Sequence, residues 1–175
     1  MKLFIAPHND DETLFGAYTI IREKPLVVVV TDSWIQFNRG EKCTADERWE
    51  ETVSAMAILG APVYRIGLRD DIVYEDLIKY ELSKFRGFDE VFAPAIQGGN
   101  IHHDEIAKVA KEIWPNVTQY TTYTKTELWT SGNREIVPTE YEKEIKNRAL
   151  QCYKSQLGIN APHFEAVKGK SEWII

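Results

Sequence analysis

Residues 2–13 read Lys-Leu-Phe-Ile-Ala-Pro-His-Asn-Asp-Asp-Glu-Thr, an apolar run followed at once by a cluster of ionisable side chains. The apolar half predicts a buried strand, and residues 13–22 predict a helix. The acidic cluster therefore lies at the carboxyl end of a strand, where open α/β sheets bind ligands. The N-terminus of the following helix favours negative charge there, because its N–H groups are free and its dipole is positive.

Three side chains of this turn are candidates for chemistry. His8 and Asp11 are three residues apart, so around a tight turn both can reach one point, whereas Asp10 is aimed elsewhere. One imidazole and one carboxylate are half of a catalytic zinc site, which has three protein ligands and an open position for water. Asp10 is then free to act as a base. The alternative is that Asp10, Asp11 and Glu12 only occupy the first turn of a helix; the nearby histidine favours a functional site.

The rest of the chain alternates strand and helix patterns, which predicts an α/β fold. The run Leu26–Thr31 is typical of a central parallel strand buried on both faces, and it places Asp32 at the same edge as His8. Residues 63–66 and 89–93 predict further strands, and residues 75–85 a helix. We therefore expect one domain over residues 1–175, with a mostly parallel central sheet and helices on both faces.

A capping box at Thr44-Ala45-Asp46-Glu47 predicts a helix that continues to Leu59, before Gly60 and Pro62. Its predicted apolar face consists of Trp49, Val53, Met56 and Leu59.

A second candidate region follows the strand at 89–93. Residues 94–103 form a loop with Gly98-Gly99 and end in His102 and His103, before a helix with an apolar stripe of Ile106, Val109, Ala110 and Ile113. A histidine pair on a loop often has no special role, but this one lies at the edge that carries His8 and Asp11. A His-Asp pair with a distant His gives a three-ligand site suited to hydrolysis.

Composition excludes several other classes of function. A chain of 175 residues with 43% hydrophobic residues suffices for one domain. The net charge of -6 and the lack of a long basic run argue against nucleic-acid and anionic-membrane partners. Cys43 and Cys152 are far apart and form no C-x-x-C motif, which favours a reducing, cytoplasmic compartment. The longest apolar stretch is far shorter than the ~20 residues that span a bilayer, and we identify no targeting segment.

The run Pro7-His8-Asn9-Asp10-Asp11-Glu12 resembles the P-H-P-D-D-E signature of the zinc-dependent N-acetylglucosaminyl deacetylases of the PIG-L and LmbE type. The resemblance covers about residues 2–156 and continues in order through Thr31-Asp32, Arg48-x-x-Glu51, Ile58-Leu59-Gly60, the histidine loop and Lys146-x-x-Ala149-Leu150-x-x-Tyr153-x-Ser155-Gln156. It implies a Rossmann-like single domain with one zinc per chain, held by His, Asp and His. The implied reaction removes the acetyl group from an amino sugar or sugar conjugate.

Carried over by position, the resemblance makes His8 and Asp11 zinc ligands and Asp10 the base that takes a proton from the attacking water. It places Arg48 near the substrate; the alternative is a helix-surface residue paired with Glu51. Trp34, with Phe37 on the same loop, could stack on a sugar ring or form a hydrophobic lid. Asp32 could hold a turn instead of touching substrate.

The third ligand is where this chain departs from the family pattern, because the usual H-x-x-H spacing is missing. Keeping the two glycines and the helix stripe in register puts Asn100 in place of the first His and His103 in place of the ligand. Matching Asp104 instead makes His102 the first His and Glu105 the ligand. The first register is favoured because it keeps a His2Asp zinc site.

This departure affects the mechanism. In the family the first His stabilises the oxyanion or protonates the leaving amine, and an Asn at position 100 could donate a hydrogen bond but not a proton. His102 or His163 could supply the missing role. The alternatives to a deacetylase are a non-catalytic metal-binding relative and a metal-dependent phosphoesterase. The sequence leaves the acyl acceptor and the oligomeric state open.

Overall fold

Strands and helices alternate along most of the chain, as predicted. The computed structural model describes residues 1–32, 43–71, 74–158 and 160–175. Its strands are β1 (Lys2–Ala6), β2 (Leu26–Asp32), β3 (Val63–Arg69), β4 (Glu90–Pro94), β5 (Val117–Tyr120), β6 (Arg134–Ile136) and β7 (Glu172–Ile174). Its helices are α1 (Asp11–Glu23), α2 (Ala45–Leu59), α3 (Glu75–Leu82), α4 (Ile101–Ile113), α5 (Glu140–Leu150), α6 (Lys154–Leu157) and α7 (Ala161–Val167).

All seven strands belong to one sheet in the order β3-β2-β1-β4-β5-β7-β6. The five strands from β3 to β5 are parallel, and β7 and β6 add an antiparallel edge. The predicted α/β fold with a mostly parallel sheet is therefore confirmed, while the antiparallel edge was not predicted. From β1 the chain first builds one half of the sheet and then crosses to β4 to build the other. The carboxyl ends of β1 and β4 therefore flank a topological switch point, the usual ligand crevice of such sheets.

Two hydrophobic cores lie on opposite faces of the sheet because successive side chains of a strand point to opposite sides. Phe4 of β1 and Val29 of β2 face α1, α2, α5 and α7. Ile5 and Val28 are the chain neighbours of Phe4 and Val29. They therefore point to the other face of the sheet, where they face α3 and α4. Helices thus cover both faces, as expected.

Helix α2 begins and ends where its sequence predicts. Thr44 and Glu47 form the capping box, and Gly60 ends the helix with φ 73°. The predicted apolar face was wrong at Val53, which is 42% exposed. The buried face consists instead of the polar Arg48 and Thr52 in the first half of the helix and of Ala55, Met56 and Leu59 in the second half. Hydrophobic periodicity does not identify Arg48 and Thr52 as buried, because the N-terminal half of the helix faces a polar site and not the core.

Within the described ranges, no helix is both long and apolar enough to span a membrane.

Candidate active site

The turn from β1 to α1 has a strained residue at its centre. Asp10 has φ 112°, a value that non-glycine residues rarely adopt. Its carbonyl accepts hydrogen bonds from the backbone N–H groups of Thr13 and Leu14, so the residue begins the helix, but its carboxylate makes no capping bond. Glu12 stabilises the turn because its Oε2 accepts a bond of 3.1 Å from the Asp10 N–H. The Asp10 carboxylate is therefore not used to cap the helix and can pair with another side chain.

His8, Asp11 and His103 form a candidate metal centre. Asp11 Oδ2 lies 2.9 Å from His8 Nδ1 and 3.0 Å from His103 Nε2. The three residues offer one ligand atom each, and these atoms all lie within 4.8 Å of one another. β1 leads into His8 and Asp11, and the first turn of α4 carries His103. The structure thus brings together the three predicted ligands.

The donor set fits a divalent metal. His103 Nε2 is a buried atom without a hydrogen-bond partner in the described part of the chain, although it lies close to Asp11. His103 Nδ1 faces Thr122 Oγ1 at 3.3 Å, so a ring proton on Nδ1 leaves the Nε2 lone pair free. An unpaired buried nitrogen is costly unless another group coordinates it. Two imidazoles and one carboxylate are a known catalytic zinc set.

The electrostatics of Asp11 agree with a metal ligand. Burial would raise the pKa of this carboxyl, but the adjacent His103 and His8 outweigh burial and hold it well below its usual range. The carboxylate is therefore ionised at neutral pH. An ionised oxygen ligand is what a cation requires.

His102 contacts Nε2 of His8, the ring nitrogen that does not face Asp11. His102 Nδ1 is 2.7 Å from His8 Nε2, and the ring also hydrogen-bonds the backbone of Asp70. Burial, with a contribution from His8, lowers the pKa of His102 to about 4, so the ring is neutral at pH 7. The Asp70 bond raises this pKa, so the backbone group accepts a hydrogen bond from the ring. His102 Nδ1 is then an acceptor for His8 Nε2–H, which leaves His8 Nδ1 to face Asp11.

Asp10 forms a buried pair with Arg48. Arg48 is 1% exposed, and its Nη2 donates to Asp10 Oδ2 at 2.9 Å and to the carbonyl of Asn9. The helix-surface interpretation of Arg48 is therefore wrong, and Glu51 accepts hydrogen bonds from Ser155. Burial raises the pKa of Asp10 to about 7; Arg48 opposes this rise and Asp11 adds to it. A pKa near neutrality suits a carboxylate that exchanges protons.

The loop before α4 packs closely on the chain after β5. A Cβ added to Gly99 would lie 2.2 Å from the backbone carbonyl oxygen of Tyr123. Asn100 caps α4, since its Oδ1 accepts from the His102 N–H at 2.8 Å, and its Nδ2 donates to Tyr123 Oη at 3.1 Å. The close approach that Gly99 permits is therefore to the protein's own backbone.

The alternative third ligand has other partners. Asp104 accepts hydrogen bonds from the backbone N–H groups of Gln97 and Gly98, and Glu105 pairs with Lys108. These contacts hold the loop and the surface of α4. The structure places His103, and not Glu105, beside His8 and Asp11.

The remaining predicted residues lie in several surroundings. Asp32 accepts two hydrogen bonds from Arg65, at 2.7 and 2.8 Å, and so joins the end of β2 to β3. The His163 ring packs edge-to-face against Tyr123, with ring centroids 5.0 Å apart and an interplanar angle of 65°. Trp34 and Phe37 lie outside the described residues.

Sequence reasoning missed two groups near the site. Tyr123 contacts the ring of His103, and Thr122 faces its Nδ1; both follow β5, a strand too short to be identified by pattern. The Tyr153 hydroxyl donates a hydrogen bond to Glu12, so a residue of the late family segment stabilises the turn between β1 and α1. The order of strands could have indicated Tyr123, because residues that follow β5 lie at the same edge as those after β4.

No protein-family profile and no curated protein sequence matches the chain. Its fold nevertheless resembles solved structures over 99% of its length. One is N,N′-diacetylchitobiose deacetylase from Pyrococcus horikoshii, with a TM-score of 0.69, 18% identity and 83% of that chain covered. Another is a triple mutant of a deacetylase of the teicoplanin biosynthetic pathway, with a TM-score of 0.77, 16% identity and 97% covered.

A third similar structure is GalB, the 4-carboxy-2-hydroxymuconate hydratase of Pseudomonas putida KT2440, with a TM-score of 0.68, 17% identity and 95% of that chain covered. At these identities the comparisons establish a shared fold. Because one of these three proteins is a hydratase, the fold alone does not decide the reaction. The chemistry has to be argued from the site.

Proposed function

We propose that this protein is a metal-dependent hydrolase of the PIG-L and LmbE type that removes an N-acetyl group from an amino sugar or sugar conjugate. The observation that carries the proposal is the meeting of His8, Asp11 and His103, with Asp10 close enough to interact electrostatically with Asp11 and His8. The fold shared with two deacetylases supports it. N-acetylglucosamine and its conjugates are the substrates to test first.

His8, Asp11 and His103 would hold one Zn²⁺ per chain. Bound zinc polarises a carbonyl oxygen and lowers the pKa of water, which are the two needs of amide hydrolysis. The two-metal phosphoesterase alternative requires further ligands. In the ranges that the structure describes, His8, Asp11 and His103 are the one group of such residues close enough to hold a metal.

Asp10 is the proposed general base. Its carboxylate lies next to the ligand Asp11 in sequence but takes no part in the metal cluster, and its raised pKa favours proton uptake. It takes the proton of the water that attacks the acetyl carbonyl carbon. The C–N bond then breaks as the leaving nitrogen takes up the proton that Asp10 holds, and acetate and a free amine result. Arg48 hydrogen-bonds Asp10 Oδ2 and so fixes the position of this carboxylate. The positive charge of Arg48 also favours the ionised form of Asp10.

Asn100 and His102 remain the predicted donors to the reacting amide. In the structure both make other contacts, Asn100 with Tyr123 and His102 with His8. Trp34 also remains a predicted contact of the sugar ring. We further propose a reducing, cytoplasmic compartment, in keeping with two cysteines that are both free.

The test measures amine release from a panel of N-acetyl amino sugars and conjugates, with metal content determined on the same samples. The parent protein should release acetate and amine in equal amounts. Asp10→Asn keeps the shape of the side chain but cannot accept a proton, so the rate should fall by about 10²–10⁴-fold with zinc content unchanged.

Asp89→Asn is the matched control, because Asp89 is exposed and pairs with the N-terminus at the opposite edge of the sheet. Its rate should equal that of the parent. Turnover by Asp10→Asn at the parental rate would refute the assignment of the base. A zinc-loaded parent that hydrolyses no amide of the panel would favour the non-catalytic relative.

A further inference from the structure

Tyr123 is fixed beside the proposed metal centre by contacts on several sides. Its ring centroid lies 5.1 Å from that of His103, 5.0 Å from that of His163 and 5.9 Å from that of Phe15. Its backbone carbonyl packs against Gly99 so closely that no side chain fits there. A side chain held in this way is already oriented before a ligand binds.

The hydrogen bonding of Tyr123 leaves its hydroxyl proton available. Asn100 Nδ2 donates to Tyr123 Oη at 3.1 Å, so the oxygen serves as the acceptor of that bond. Among residues 1–32, 43–71, 74–158 and 160–175, no group accepts a hydrogen bond from Tyr123 Oη. The side chain is partly exposed, so a bound ligand can reach it.

The proton of this hydroxyl stays on the phenol at neutral pH, because the ordinary pKa of a tyrosine is about 10. Tyr123 is therefore a neutral hydrogen-bond donor beside the proposed metal ligand His103.

We infer that the Tyr123 hydroxyl donates a hydrogen bond to the oxygen of the acetyl carbonyl as negative charge develops on it. The inference rests on the proposed deacetylase function. Asn100, which the favoured register puts in place of the family's first His, also holds Tyr123 through its hydrogen bond. The step needs no net proton transfer from Tyr123, since the proton that Asp10 takes from the attacking water passes to the leaving nitrogen.

Tyr123→Phe tests this role, because it removes one oxygen and keeps the ring contacts. With zinc loaded, kcat on the best amide substrate should fall by about 10²–10³-fold, as on removal of an oxyanion donor. KM should stay within about threefold of the parent, because the bond strengthens mainly in the transition state. Zinc content should equal that of the parent.

A second measurement does not depend on turnover. Methylphosphonate resembles the tetrahedral, negatively charged species formed from an acetyl group, and its affinity for the zinc-loaded protein can be measured by calorimetry. Tyr123→Phe should weaken this affinity by about 10–100-fold, the range for a lost bond to a charged group. If the parent hydrolyses no amide, the proposed function fails, and the methylphosphonate measurement alone decides the role of Tyr123.

Tyr18→Phe is the matched control, since Tyr18 carries a buried hydroxyl without a partner in the described structure and lies in the second half of α1. It should match the parent in kcat and in methylphosphonate affinity. Parental methylphosphonate affinity in Tyr123→Phe would overturn the inference. A loss of zinc in proportion to the loss of rate would also overturn it, because Tyr123 would then only support His103.

Discussion

At the scale of single residues, the site depends on one carboxylate oxygen. Asp11 Oδ2 contacts His8 and His103, which come from opposite sides of the switch point between β1 and β4. The other side chains of the turn have separate tasks: Asp10 faces Arg48, and Glu12 binds the turn and Tyr153. Three adjacent acids can therefore differ in role because each has a different neighbour.

This arrangement predicts how metal binding responds to single substitutions. His8→Ala, Asp11→Ala and His103→Ala each remove a ligand, so the purified variants should lose their zinc. His102→Ala should lower zinc affinity by about 10–100-fold, the usual effect of removing a group that orients a metal ligand. Zinc content by mass spectrometry and affinity by competition with a chelator are the measurements.

Glu105→Ala is the control on the same helix, because Glu105 contacts Lys108 at the surface. It should bind zinc as the parent does. If Glu105→Ala loses the metal while His103→Ala keeps it, the alternative register of the histidine loop is correct.

At the scale of elements, the loop at Gly98-Gly99 connects the two halves of the site. Gly98 has φ 69° and open space around its Cα, whereas Gly99 lies against the carbonyl of Tyr123. Gly99→Ala should therefore cost about 2–3 kcal/mol of stability through a steric clash, and Gly98→Ala about 1 kcal/mol through its left-handed backbone. Denaturant unfolding of both variants measures the difference. An equal or smaller cost for Gly99→Ala would contradict the close packing seen here.

Local sequence signals predicted those elements that depend on few neighbours. The strands at Lys2–Ala6 and Leu26–Asp32 follow from continuous apolar runs, and α2 follows from its capping box. The short strands β5, β6 and β7 carry no such signal, since their pairing depends on residues far away in the chain. Long-range pairing also explains why Tyr123 was missed.

The candidate site shows the same limit. His8, Asp10 and Asp11 could be identified because they share one turn, and the helix phase of Ile106 and Val109 favoured His103. The burial of Arg48 could not be identified, because a charged residue near a helix start usually faces solvent. Its position follows from packing against Asn9 and Asp10, which only the folded chain brings near α2.

At the scale of the whole molecule, a buried ion pair joins α5 to β7, and both of its side chains contact α1. Lys146 of α5 lies 2.9 Å from Glu172 of β7, and both side chains are almost fully buried. Glu172 also accepts from the Tyr18 N–H, and Lys146 donates to the Leu14 carbonyl at 2.7 Å. In an α-helix the N–H of residue 18 donates to the C=O of residue 14. The pair thus contacts both members of one backbone hydrogen-bonding position of α1.

Lys146→Met tests the importance of this pair for the whole fold. The substitution leaves the Glu172 carboxylate buried without its cation, so unfolding free energy should fall by about 3–5 kcal/mol, as for other broken buried pairs. Lys143→Met removes a surface pair with the exposed Glu140 of the same helix and should cost about 0.5 kcal/mol or less. Adding Glu172→Gln to Lys146→Met should recover part of the loss, because an amide oxygen still accepts from α1 without a charge. Denaturant unfolding at neutral pH compares the four proteins, and a Lys146→Met variant within about 1 kcal/mol of Lys143→Met would show that the pair contributes little.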